Sequence, residues 1–166
     1  MPSRQNTLFK IKRTSKWNGI TILVVAILSL ILSFLDYHFT GILISLFVAF
    51  SGWMEIQGSR QVDKNLPLAG KWLTGSQIWL LTVVWTYTIT QWITFNPETV
   101  LEMVSPSLIH QLNVLGITGE NVLQELLTKV VVSTYMAVLL VTLLYQGGLA
   151  LFYWRKVRLL TSENPD

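Results

Sequence analysis

The sequence predicts an all-α integral membrane protein with four transmembrane helices and with short amphipathic helices between the third and the fourth. The first observation is that residues 17–35, 37–54, 72–97 and 130–154 contain no charged side chain. A chain of 166 residues has too small a core to bury four such stretches, so lipid has to cover them. The other two observations are the positions of the tryptophans and the uneven distribution of Lys and Arg.

The first apolar stretch, at about 17–35, is predicted to be an uncleaved transmembrane helix. At about 1.5 Å per residue it is about 28 Å long, just enough to cross a bilayer. It follows a basic N-terminal arm, 1–16, that contains five Lys and Arg and no acid. The arrangement resembles a secretory signal, but no small-residue cleavage site follows the apolar stretch. A mitochondrial or plastid presequence, which is also basic and free of acids, is the alternative.

The second span, at about 39–54, is predicted to return beside the first as a helical hairpin. Only Asp36, Tyr37 and His38 separate the two spans, which leaves room for nothing longer than a tight reversal. We expect the Asp36 carboxylate to cap the returning helix, because a carboxylate there accepts hydrogen bonds from the free N–H groups of the first turn.

The third and fourth spans, at about 72–95 and 130–154, complete a transmembrane domain over 17–156. Both are longer than a bilayer requires, and tilt or extension into the headgroups absorbs the excess. The connection, 96–129, contains Asn-Pro and Ser-Pro pairs typical of helix starts and apolar residues at helical spacing. We therefore expect it to form amphipathic helices on the outer membrane surface. Residues 157–166 are predicted to form a polar C-terminal tail.

Lys and Arg lie almost entirely on one side of this topology. Eleven of the twelve fall in the N-terminal arm, the middle loop and the segment after the fourth span, and only Lys129 lies on the other side. The positive-inside rule therefore places both termini in the cytoplasm, in a bacterial inner membrane or an equivalent one. Indole rings prefer the membrane interface, and one lies at the inner end of each span. These residues are Trp17, Trp53, Trp72 and Trp154.

Small residues form one face on each of the first two spans. They let helices approach closely in lipid, where packing drives association, so we expect them to pack the hairpin or a contact between subunits. A ligand path along them is the alternative. The helix-packing residues are Ala26, Ser29 and Ser33 on the first span and Gly41, Ser45 and Ala49 on the second.

A row of hydroxyls with four-residue spacing runs along the third span, and an amide lies beside it. These side chains form a candidate polar path and are Thr82, Thr86, Thr90, Gln91 and Thr94. A threonine in a helix can also donate its hydroxyl to the carbonyl four residues earlier, in which case the row has only a structural role.

No charged residue lies near the midplane of a span, and Glu55 is the nearest candidate for a functional acid. It lies near Trp53 at the inner end of the second span, where we expect it to reach the interface or to pair with Arg60. No catalytic or metal site is predicted. The chain has no Cys, which excludes thiol catalysis and Cys-based metal sites. It also lacks a nucleophile elbow and a phosphate-binding Gly loop.

These observations predict a non-enzymatic small subunit or assembly factor of a membrane complex, without a cofactor. Its expected partners are the bilayer, with anionic lipid at the inner face, and other membrane subunits or further copies of the chain. Nucleic acid is not expected, because topology and lipid attraction account for the basic side. The alternative is an oligomeric small-molecule or ion transporter or channel lined by the Thr row. A third interpretation is an enzyme acting on lipid or quinone through Glu102 and His110.

Overall fold

The computed structural model describes residues 4–99, 111, 114 and 120–162, and four long helices account for most of them. The helices are α1 (Arg4–Leu35), α2 (Phe39–Gln61), α3 (Leu66–Ile93) and α4 (Glu120–Ser162). The protein is therefore all-α over the described residues, as the sequence predicts.

Three helices in the described part of the chain are long and apolar enough to cross a membrane: α1, α2 and residues Asn121–Ser162 of α4. Helix α3 falls outside this set because Gln, Thr, Trp and Tyr make up much of it. Length and composition thus give a candidate multi-pass membrane protein with three candidate spans. The fourth span stays a prediction.

Helices α1 and α4 extend beyond the spans predicted for them. Helix α1 begins at Arg4, inside the predicted basic arm, and α4 passes both ends of the predicted 130–154 span and enters the predicted tail. Neither Gly nor Pro occurs in 4–16, 120–129 or 155–162, so no helix breaker stops the helices there. Much of the predicted amphipathic segment lies outside the described residues. Within 96–119, residues 97–99, 111 and 114 are helical.

A tight turn joins α1 and α2 into an antiparallel hairpin. Tyr37 adopts a φ of 50°, in the left-handed region, and so reverses the chain direction. The residue that caps α2 is His38, whose Nδ1 accepts a hydrogen bond from the Gly41 N–H at 3.0 Å. The expectation that Asp36 caps this helix is wrong. Helix α2 begins at Phe39, and the capping position belongs to the residue immediately before it.

The described residues fall into two compact units, one running up to Trp85 and resuming at Thr142, the other comprising Thr86–Val141. The apolar core of the first unit joins the start of α1, the α2–α3 connection, the start of α3 and the end of α4. Its buried members are Ile11, Val62, Ala69, Leu73, Tyr153 and Leu160. Large apolar side chains farther along α1 are exposed instead, with Leu28 at 57% and Leu32 at 62%. Such a surface suits lipid contact.

Candidate functional site

A polar cluster lies inside the first unit and takes one side chain from each long helix. We call it the Glu55 cluster, and its members are Asn18 of α1, Glu55 of α2, Gln77 of α3 and Tyr153 of α4. The side chains of Glu55, Gln77 and Tyr153 are completely buried. A charged residue in this position needs hydrogen-bond partners, because burial without them costs several kcal/mol.

Three donors supply those partners and cover both oxygens of the carboxyl group. Asn18 Nδ2 and Gln77 Nε2 donate to Glu55 Oε2 at 2.7 and 2.8 Å. Tyr153 Oη donates to Glu55 Oε1 at 2.8 Å. Both oxygens of the carboxyl group therefore act as hydrogen-bond acceptors, and all three partners act as donors.

Further hydrogen bonds hold the donors in place. Tyr145, also on α4, donates its hydroxyl to Asn18 Oδ1 at 3.2 Å, which fixes the amide with its nitrogen toward Glu55. Ser51 of α2 donates to the carbonyl of Ser76 on α3 at 3.0 Å, next to Gln77. Among the described residues, Gln77 Oε1 is buried without a hydrogen-bond partner.

No cation takes part in the cluster. The ion pairs within the described part of the chain are Lys12 with Asp63 and Lys129 with Glu125. The expected pairing of Glu55 with Arg60 is therefore wrong, whereas the depth of Glu55 relative to the membrane interface stays a prediction. Its carboxylate points between the helices, and neutral N–H and O–H donors stabilise it.

The local sequence around Glu55 explains this orientation. The buried residues of α2 in this region lie three and four positions before and after Glu55, so they share its helix face. They are Ser51, Gly52, Gly58 and Ser59. This stripe of small residues is the sequence signal that places Glu55 in the bundle, and it was not used in the prediction. Asn18, Gln77 and Tyr153 were missed as site residues.

The predicted small-residue faces of α1 and α2 meet in part. Ser45 donates to Ser29 Oγ at 2.9 Å, and a Cβ placed on Gly41 would lie 2.4 Å from Ser33 Oγ. Ala26 is buried and Ala49 is half-buried. An approach to backbone occurs elsewhere on the hairpin, where a Cβ on Gly52 would lie 3.0 Å from the Gly19 carbonyl oxygen.

The predicted threonine row of α3 turns its hydroxyls toward its own backbone. Thr82, Thr90 and Thr94 donate to the carbonyls of Ile78, Thr86 and Thr90 at 2.8 to 2.9 Å. Thr86 is exposed. Gln91 and Thr94 line a cavity of about 390 Å³ in the second unit, together with Tyr135 and others.

The structure describes one of the two histidines, His38. His38 caps α2, whereas His110 and Glu102 lie outside the described residues.

No protein-family model, curated protein or solved structure matches this chain, so its function has to be inferred from its residues and their contacts.

Proposed function

We propose that the chain is a four-span membrane protein with both termini in the cytoplasm, and that it acts as a non-enzymatic small subunit or assembly factor of a membrane complex. The observation that carries this proposal is the Glu55 cluster. The one acid buried in the bundle is engaged by donors from the other three helices within the described chain. Polar side chains used in this way act as interhelical glue. Many large apolar side chains of α1 and α4 remain exposed and available to partners.

The contacts of α3 support its assignment as the fourth span. It lies along α2, a candidate span: Trp79 Nε1 donates to the Phe47 carbonyl at 3.1 Å, and Ser51 donates to the Ser76 carbonyl at 3.0 Å. The rings of Trp53 and Trp72 are in edge contact as well. A helix that packs along a membrane-crossing neighbour over this length shares its depth in the bilayer, where the Trp79 indole and the Thr82 and Thr90 hydroxyls have partners.

Photo-crosslinking in intact membranes tests the subunit proposal. A benzoylphenylalanine residue replaces Leu32 on α1 or Leu144 on α4, which are 62% and 75% exposed. We expect one of the two positions to give a single protein adduct of stoichiometric yield, and the other to give lipid adducts. A chain that yields lipid adducts at both positions and purifies in mild detergent as a lone monodisperse monomer would overturn the proposal.

The alternative, an oligomeric transporter or channel, has one observation in its favour. This is the cavity in the second unit, which Gln91, Thr94 and Tyr135 line with polar atoms. Three hydroxyls of the row, those of Thr82, Thr90 and Thr94, donate to backbone carbonyls four residues earlier, which supports a structural role for them. In reconstituted liposomes, T86V and T90V should change flux if the row lines a path. Unchanged flux, or none in the native protein, eliminates this alternative.

A further inference from the structure

An apolar cleft of about 600 Å³ lies between α3 and α4 in the first unit, near the start of α3 and the end of α4. Its walls include Gly70, Thr74, Trp154 and Val157. The volume falls within the range of about 300 to 1,000 Å³ that is typical of sites for small molecules. The cleft is separate from the Glu55 cluster, since none of the four cluster residues lines it.

The floor of the cleft is the place where the two helices touch. A Cβ on Gly70 would lie 2.7 Å from Val157 Cγ1, so only glycine permits this approach. The indole of Trp154, half exposed, forms part of the wall. Thr74 Oγ1 is buried and has no hydrogen-bond partner among the described residues.

Two cations, Lys71 of α3 and Arg158 of α4, also line the cleft. Both are exposed, and neither forms an ion pair with a described residue. The Arg158 guanidinium lies over the Trp154 ring, 5.3 Å from its centroid, which holds it at the wall of the cleft. An apolar cleft with two cations that no described acid pairs is complementary to a ligand with an anionic head and an apolar tail.

We propose that this cleft binds one anionic phospholipid, with its phosphate held by Lys71 and Arg158 and one acyl chain against the apolar wall. The ends of α3 and α4 that form it are on the side we propose to be cytoplasmic, where anionic lipids face basic pockets between helices. A free phosphate ion would leave the apolar wall without a ligand. The site does not depend on whether the chain serves as a subunit of a complex.

Native mass spectrometry of the full chain in mild detergent tests this. The chain is titrated with phosphatidylglycerol or phosphatidylcholine of matched acyl chains, and bound lipid is counted. The variant K71Q/R158Q removes both cations of the cleft. The matched control, R60Q/K64Q, removes the same charge from the end of α2 and the α2–α3 connection on the same side, outside the cleft. Circular dichroism checks that both variants keep the helical fold.

We expect the native chain to retain one phosphatidylglycerol in preference to phosphatidylcholine. The K71Q/R158Q variant should lose about 30-fold in affinity for phosphatidylglycerol, about fivefold per cation, while the control stays within about twofold. Equal retention of the two lipids by the native chain would overturn the proposal. An equal loss in the control, or displacement of the lipid by millimolar glycerol phosphate, would also overturn it.

Discussion

At the scale of single residues, the Glu55 carboxylate depends on the number of donors that face it. Two amides and one hydroxyl are oriented toward its oxygens. Removing the acceptor strands three donors at once, two of them buried, whereas replacing it by an amide strands one. The two kinds of substitution therefore separate the effect of the hydrogen bonds from the effect of the negative charge.

We expect Glu55→Ala to lower the free energy of unfolding by about 3 kcal/mol or more, because a cavity and three unpaired donors remain in the bundle. Glu55→Gln should cost about 1 kcal/mol. Its amide oxygen can still accept from Asn18 and Gln77, and only the Tyr153 hydroxyl loses its acceptor. Unfolding in mixed SDS and dodecyl maltoside micelles, followed by circular dichroism, measures both values.

Asp36→Ala is the control for these measurements, since the Asp36 side chain is exposed and does not cap α2. It should change stability by less than about 0.5 kcal/mol. If Glu55→Ala is equally harmless, the cluster does not hold the helices together, and the proposed structural role of Glu55 is wrong.

The sequence identifies Glu55 as an unusual residue but does not identify its partners. An acid at the end of an apolar stretch is visible from composition alone. The donors lie 37, 22 and 98 positions away along the chain. They meet because each of the four helices is rotated about its axis and shifted along it so that these side chains face one another. Both properties depend on how the helices pack. The small-residue stripe around Glu55 indicates which way its side chain points, and no more.

At the scale of helices, the α1–α2 hairpin depends on two glycines that lie opposite each other. A Cβ on Gly52 would lie 2.9 Å from Leu23 Cγ and 3.0 Å from the Gly19 carbonyl oxygen, and the latter is backbone that cannot move aside. Gly52→Ala should therefore force the helices apart and lower the free energy of unfolding by about 1 to 3 kcal/mol. The same micelle titration measures this.

Gly148→Ala is the matched control, because a Cβ at that helical position has nothing within 4 Å. It should leave stability unchanged or raise it by about 0.5 to 1 kcal/mol through helix propensity. If Gly52→Ala behaves like Gly148→Ala, the close approach of α1 and α2 is not required for stability.

The turn between α1 and α2 provides a second measurement at this scale. Tyr37 has a left-handed backbone and a side chain that is 94% exposed. Tyr37→Gly should be about 1 kcal/mol more stable than Tyr37→Ala, because both lose the ring but only glycine lacks the Cβ that disfavours this conformation. Equal stabilities of the two variants would mean that the turn relaxes to another backbone conformation.

The existence of the helices was easier to predict than their ends. Uncharged stretches of this length leave few structural choices, and a three-residue connection requires a hairpin. The ends depend on how far a helix continues into polar sequence, and a count of apolar residues does not report this. In the same way, the Asp36 carboxylate is chemically suited to cap α2, but His38 occupies the capping position.

At the scale of the whole molecule, a four-span and a three-span topology place two positions, Glu98 and Ser162, on different sides of the membrane. The chain has no native Cys, so a single introduced Cys reports its own position. With four spans, a membrane-impermeant maleimide on intact cells should label Cys variants of Tyr37 and Glu98. It should leave variants of Gln5, Lys64 and Ser162 unlabelled until the cells are permeabilised. All five positions are exposed.

If α3 does not cross the membrane, the two decisive positions exchange behaviour. A Cys in place of Glu98 is then protected, and one in place of Ser162 is labelled on intact cells. Tyr37 and Lys64 serve as internal controls, because their sides are the same in both topologies. The exchange would overturn the proposed location of the C-terminus while leaving the hairpin of α1 and α2 intact.

The Glu55 cluster also has a consequence for the order of synthesis. Its acid and two of its donors belong to α1, α2 and α3, whereas Tyr153 belongs to α4, the helix that leaves the ribosome last. While α4 is still being made, the Glu55 carboxyl group lacks its Tyr153 donor. The cluster can therefore close only after α4 has been synthesised, although its other members are made earlier.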